Sequence, residues 1–223
     1  MDPEQLDTQI APTDFATAAR RHGRHFARYV YARPHARGRR VLDAACGTGF
    51  GSAYLARTAE NVLGLDLDEK VIAFARKHFA ADNCRFAIHD LHEPIRGEAP
   101  FGLISSFETL EHVTDPDRCV GNLSGALADD GVALISVPNG TKERLGGGKH
   151  YHPNQFSAAK FHDLLARHFG CVQPFSQVYR KDLAHYLRRI IGRGGRPAQN
   201  YRFRPGFDEH AKTFLAVATQ PRR

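Results

Sequence analysis

The stretch Val41 to Ala56, VLDAACGTGFGSAYLA, constrains this chain more than any other. An apolar run ends at Asp43, small residues follow, and Gly47-Thr48-Gly49-Phe50-Gly51 leads into a segment of helical pattern. A backbone that turns sharply from strand to helix, with a ligand lying against it, needs glycine where a Cβ would obstruct either. The next apolar run, residues 61–66 (NVLGLD), ends in Asp66. An acid about 20 residues beyond such a turn is placed to accept hydrogen bonds from both hydroxyls of a ribose. A third strand ends in His89-Asp90-Leu91, where an acid can receive an adenine amino group. Turns and helix caps account for each of these residues singly, but not for the three strand ends together.

The rest of the chain repeats the same alternation. Residues 15–33 read as a helix, with Phe15, Ala18, Ala19, His22 and Phe26 on one face. Strands are expected near 40–45, 61–66, 84–89, 102–107, 131–137, 171–179 and 211–219. Between them Asp68 caps a helix to about Ala81, and Asp115-Pro116 starts another with Val120, Leu123 and Leu127 as its stripe. Ser157 caps a third, carrying Phe161, Leu164, Leu165 and His168. Alternating βα units with apolar strands predict an α/β, doubly wound, mostly parallel sheet, whose ligands bind beyond the carboxyl ends of the strands. A single domain over 1–223 suits the length. Residues 180–208 form an insertion with an amphipathic stripe (Leu183, Tyr186, Leu187, Ile190, Ile191) and a basic tail. That insertion reads as a peripheral helix and surface loop, or as a substrate lid or membrane-surface contact.

Charge narrows the partners. The net charge of +7 is concentrated in two blocks, eight arginines between 20 and 40 and eight Lys/Arg between 180 and 204, leaving the remainder net acidic. Such blocks are either solvated faces or the mark of an anionic partner: a phosphorylated sugar, nucleic acid or lipid head group. Cys46, Cys84, Cys119 and Cys171 form no CxxC pair, which argues against a zinc knuckle or disulfide framework. The opening MDPEQLDTQI lacks the apolar stretch of a secretory leader, and no run approaches a membrane span, so the cytoplasm is the expected setting.

A nicotinamide dinucleotide uses similar parts, but its usual fingerprint puts the third glycine three residues after the second, where this chain has Ser52. The segment instead closely resembles motif I of class I S-adenosylmethionine (SAM)-dependent methyltransferases. Their Rossmann-like sheet has seven strands and ends in an antiparallel hairpin. The resemblance covers roughly residues 22–219. It implies that Asp43, Gly47 and Gly49 meet the methionine part of SAM, Asp66 the ribose, and Asp90 with Leu91 the adenine, with Ala45, Leu67 and Phe107 also at the cofactor site. His25, Arg28 and Tyr29 in RHFARYVYARP resemble bacterial methyltransferases often associated with surface glycans. There the leading helix covers the cofactor, which would let Arg28 face the SAM carboxylate.

The reacting side is read from FGLISSFETLEHV. Glu108, Glu111 and His112 stand at i, i+3 and i+4, one side of a helical turn, and a later loop adds His150 and His152. Carboxylates and imidazoles together could hold a divalent cation such as Mg or Mn. The pattern, with Phe156 after His152, resembles small-RNA 3′-terminal 2′-O-methyltransferases. That likeness implies Glu108, Glu111, His112 and His152 as metal ligands and a terminal RNA ribose as acceptor. Alternatively His112 or His152 is a general base beside Glu108, or Glu111 and His112 brace the cofactor loop. Val137-Pro138-Asn139 and the loop to His152 are expected to wall the acceptor pocket. The leading expectation is O-methylation of a hydroxyl on a sugar, glycoconjugate or nucleoside-like metabolite, since an alcohol needs help in losing its proton. The alternatives are the RNA reaction and a SAM-binding protein without catalysis.

Overall fold

The computed structural model describes residues 12–98, 100–142, 153–181 and 197–222. Two short helices open it, α1 (Phe15–Arg21) and α2 (Gly23–Ala36), where the sequence suggests one. The chain breaks at His22, beside the helix-weakening Gly23, and Asp14 caps α1 through the Thr17 amide. The alternation then runs β1 (Arg40–Ala44), α3 (Phe50–Ala56), β2 (Asn61–Asp66), α4 (Glu69–Phe79), β3 (Cys84–Ile88), β4 (Phe101–Phe107), α5 (Pro116–Ala126), β5 (Leu127–Pro138), α6 (Ala158–His168), β6 (Phe169–Tyr179), β7 (Tyr201–Pro205) and β8 (Thr213–Pro221). The expected caps are present: Asp68 accepts from the Lys70 and Val71 amides, Asp115 from Arg118, and Ser157 from Lys160. Leu127 lies just past α5 and opens β5, so that strand starts earlier than its apolar run suggests.

The sheet is ordered β3-β2-β1-β4-β5-β8-β6-β7. Strands β1 to β5 pair in parallel, β8 is antiparallel to both β5 and β6, and β7 is antiparallel to β6. The sheet therefore has eight strands rather than seven. The additional one, YRFRP, comes from the segment read as an insertion and sits at the edge, where its two arginines reach solvent. The amphipathic stripe, Leu183 to Ile191, lies outside the described residues.

Successive strand residues point to opposite faces, and each face has its own core. Val41, Val62, Phe86 and Leu103 pack under α1 to α4 with Phe26, Tyr29, Leu55 and Ile72. Leu42, Leu63, Ile104 and Ile135 pack under α5 and α6 with Val120, Leu123, Phe161 and Leu165. Because β1 lies between β2 and β4, the connections leaving β1 and β4 go to opposite faces: α3 covers one and α5 the other. That divergence opens a crevice at the carboxyl ends of the two strands.

Candidate active site

A cavity of about 720 Å³ fills this crevice. Ala45 to Thr48 line it from β1, Asp66 and Leu67 from β2, His89 to His92 from β3, and Phe107 to Thr109 with His112 to Thr114 from β4. His22, His25 and Phe50 close it from the helical side. Ala45 and Glu108, the residues that immediately follow β1 and β4, both hold left-handed backbone, with φ of 60° and 58°. For a residue with a Cβ this costs about 1–3 kcal/mol and persists only where the surroundings enforce it, typically at functional sites.

The glycines of the turn have separate tasks. Gly47 lines the cavity at φ +55°, and a Cβ built there would meet nothing within 4 Å. Packing therefore does not demand glycine at this position; its main chain faces open space that a ligand can occupy. Gly49, at φ +85°, is hemmed in: a Cβ would sit 2.7 Å from the Ala75 Cβ and 2.9 Å from the Phe86 ring. A Cβ at Gly51 would lie 2.0 Å from the Tyr29 ring, so this glycine lets α3 lie on α2.

Asp43 is 1% exposed and does not line the cavity. Ser52 donates to its Oδ2 at 2.6 Å, and Ser105 and Tyr29 donate to Oδ1 at 2.7 and 3.3 Å. Burial pushes its carboxyl up to about 6, against the opposing effect of those three hydroxyls. Asp43 thus ties β1, α2, α3 and β4 together beneath the turn. Asp66 does face the cavity: its Oδ2 accepts from the Gly47 amide at 2.9 Å and Oδ1 from the Asp68 amide at 3.1 Å. Asp90 Oδ1 takes the His92 amide at 2.9 Å and the His92 imidazole at 2.7 Å, which hold its carboxyl below the usual range. Thus Ala45, Gly47, Asp66, Leu67, Asp90, Leu91 and Phe107 of the expected cofactor residues line the cavity, whereas Asp43, Gly49 and Arg28 support it from behind.

Arg28 is placed differently from the sequence expectation. It is 1% exposed, its Nη2 lies 3.2 Å from Glu108 Oε1, and it does not line the cavity. Its Nε donates to Gln177 at 3.1 Å, its Nη1 to His25 Nδ1 at 3.1 Å, and its Nη2 to Thr213 at 3.5 Å. Other members of the first basic block also have internal partners: Arg39 donates to the Gly102 carbonyl and Arg40 pairs with Glu98. The block is therefore in part structural. The described cavity wall contains Asp66, Asp90 and Glu108 but neither lysine nor arginine.

Glu108 and His112 line the cavity as expected, but Glu111 is 1% exposed and lies behind His112, 3.8 Å from its Nε2. Among the described residues no three His, Cys, Asp or Glu side chains come together as a metal site. Of the described members only Glu108 and His112 face the cavity, and Glu108 Oε1 is paired with Arg28, so too few ligands converge to fit a divalent cation. His150 and His152 lie outside the described residues. Val137, Pro138 and Asn139 do not line the cavity; Asn139 is buried, donating to the Glu209 and Ala211 carbonyls. Cys46 lines the cavity, but burial raises its thiol well above the ordinary range, which suits packing rather than nucleophilic chemistry. His22, His25, Phe50 and His92 are wall residues absent from the expected cofactor and catalytic set. The signal for His25 was its spacing, one turn before Arg28 and four residues before Tyr29.

A family profile described as a methyltransferase domain matches residues 35–188. A probable S-adenosylmethionine-dependent methyltransferase of Mycolicibacterium smegmatis is 30% identical over 145 residues, covering 64% of this chain and 56% of that protein. A ubiquinone biosynthesis O-methyltransferase of Coxiella burnetii is 30% identical over 114 residues, covering 50% of this chain and 49% of that protein. The matches thus span about half the length of these curated relatives. Among solved structures, a TehB-like SAM-dependent methyltransferase from Corynebacterium glutamicum superposes with a TM-score of 0.58 at 23% identity, covering 89% of this chain and 87% of that one. At that identity the likeness shows the fold.

Proposed function

The chain belongs to the class I SAM-dependent methyltransferases, and from that premise we propose that it methylates a hydroxyl oxygen of an uncharged polar metabolite: a sugar, glycoconjugate or nucleoside-like acceptor. One observation carries the acceptor class: the described cavity wall offers carboxylates, imidazoles and hydroxyls without a lysine or arginine. Among the described residues a phosphorylated acceptor or an RNA end would find no lysine or arginine on that wall, whereas a hydroxyl finds hydrogen-bond acceptors. The Coxiella relative, named as an O-methyltransferase, is consistent with oxygen as the nucleophile.

Bound SAM supplies a methyl group on a sulfonium centre, already activated for transfer. The protein's task is alignment and proton removal. Asp66 holds the ribose hydroxyls and Asp90 the adenine amine, while the open main chain of Gly47 admits the cofactor against the turn. Glu108, fixed by Arg28 and by its own left-handed backbone, accepts a hydrogen bond from a ligand donor. His112, half-exposed on the cavity wall, takes the acceptor hydroxyl's proton, and buried Glu111 behind it orients the imidazole. No step requires a metal.

The test is incubation with methyl-labelled SAM and fractions of cell extract beside a panel of uncharged glycosides and nucleosides, followed by mass analysis of the labelled product. The expected product is a methyl ether. His112→Ala should lower turnover by about 10²–10⁴-fold, the usual worth of a positioned general base, with binding of S-adenosylhomocysteine retained. Label on nitrogen or carboxylate would contradict the acceptor class. Transfer to no acceptor at all would leave a SAM-binding protein without catalysis.

A further inference from the structure

We propose that Asn154 is the positioning residue of the turn that carries His112, and that its side-chain amide sets where that imidazole points; the assignment rests on the reading of His112 as the base. The sequence marked out His152 and Phe156, and Asn154 stands between them. Its Nδ2 donates to the Leu110 carbonyl at 3.2 Å and to the Val113 carbonyl at 2.6 Å, and its main-chain N–H donates to the Glu111 carbonyl at 3.2 Å. A primary amide carries two protons on one nitrogen, so a single side chain can serve both carbonyls. One residue, 44 and 41 positions away from the two that its side chain grips, therefore holds three carbonyls of the turn.

Other contacts hold the turn nearer its ends. The Glu108 amide donates to the Ser136 carbonyl at 2.9 Å, the His112 amide to the Thr109 carbonyl at 2.9 Å, and the Asp115 amide to His92 Nε2 at 3.3 Å. Between these anchors the carbonyls of Leu110, Glu111 and Val113 reach Asn154, and a main-chain carbonyl left without a donor inside a protein is costly. His112 depends on this support. Its side chain is 49% exposed and lies 3.8 Å from Glu111 Oε1, longer than a hydrogen bond. The direction of the ring therefore follows the main chain that carries both residues. Asn154 is itself anchored, because Phe156, two residues on, is buried and its carbonyl accepts from the Gly140 amide at 2.9 Å. The grip thus runs from the segment between β5 and α6 to the reacting side of the cavity.

The experiment compares wild type, Asn154→Leu and Asn154→Gln by hydrogen exchange with S-adenosylhomocysteine bound and by transfer from methyl-labelled SAM to the extract fraction that accepts label. Leucine keeps the size and loses both donors, whereas glutamine keeps the donors on a longer arm. In Asn154→Leu the His112 amide should exchange about tenfold faster, while the Cys119 amide of α5, bonded to the Asp115 carbonyl, is unchanged. Turnover should fall about 10–100-fold, the cost of a misplaced reacting group, with S-adenosylhomocysteine binding retained. Asn154→Gln should recover part of both losses. Added to His112→Ala, Asn154→Leu should cost little more, because residues that act as a unit are not additive. An unchanged His112 amide, wild-type turnover in Asn154→Leu, or the same fold-loss on top of His112→Ala would each overturn the assignment. If His112→Ala alone turns over like wild type, the base reading fails instead, and the exchange rates still decide whether Asn154 holds the turn.

Discussion

Two buried charges lie beneath the cavity, and they are held in opposite ways. Asp43, under the β1 turn, is an anion caged by three hydroxyls from residues 14, 9 and 62 positions away. Arg28, under the β4 turn, is a cation whose partners include Gln177 and Thr213, 149 and 185 positions away, together with Glu108 and His25. The first fixes the cofactor turn with neutral donors drawn from the first half of the chain. The second fastens the opposite wall to strands contributed by the C-terminal half. The cofactor side is thus a self-contained unit, whereas the opposite wall depends on the whole sheet being assembled.

Breaking the ion pair should have the largest effect. Arg28→Met leaves Glu108 without its cation, and losing one partner of a buried pair costs about 3–5 kcal/mol. Glu108 is 20% exposed, so the lower end is expected. Urea unfolding measures this, and Glu108→Gln added to Arg28→Met should recover part of the loss. A cost under about 1 kcal/mol would mean that the pair behaves like a surface contact.

Asp43 should show itself through pH. Its folded-state value of about 6 lies above the ordinary aspartate value of 3.8. The folded protein therefore retains a proton that the unfolded chain gives up. The stability this proton confers is complete below the lower value and is lost as pH rises through the higher one. Between pH 4 and 7, wild type should lose about 2 kcal/mol relative to Asp43→Asn, which does not titrate. Parallel stability curves for the two proteins would show that the hydroxyl cage cancels the effect of burial, and a divergence of opposite sign that it outweighs burial.

The glycines sharpen the contrast on a smaller scale. Gly51→Ala drives a methyl into the Tyr29 ring and should cost about 1–3 kcal/mol. Gly47→Ala meets no neighbour, so its stability cost is that of the left-handed backbone, about 1–2 kcal/mol. Its main effect should be on binding of S-adenosylhomocysteine, because the methyl enters the cavity. If Gly51→Ala impairs binding without changing stability, or Gly47→Ala does the reverse, these roles are exchanged.

The same division explains what the sequence disclosed. The β1 turn, Asp66, Asp90 and the caps at Asp68, Asp115 and Ser157 are local features, each with a signal within a few residues, and the structure places them as expected. Strand β7 was missed although Tyr201-Arg202-Phe203-Arg204 alternates with period two, because the surrounding charge and glycine suggested a loop. The fate of Arg28 was not legible: nothing local separates it from the seven other arginines between 20 and 40, and its distant partners are brought to it only by folding. Glu111 and His112 share a turn as their spacing implied, but spacing alone does not reveal that one is buried and the other half-exposed.

The measurement that bears most directly on the central claim is calorimetric titration of S-adenosylhomocysteine into wild type and Asp66→Ala. Wild type should bind one equivalent per chain, and loss of the Asp66 carboxylate should weaken binding by about 10–100-fold, the worth of hydrogen bonds to a charged group. A folded wild type that gives no saturable heat, or an Asp66→Ala protein that binds as tightly as wild type, would contradict a cofactor site between β1 and β4.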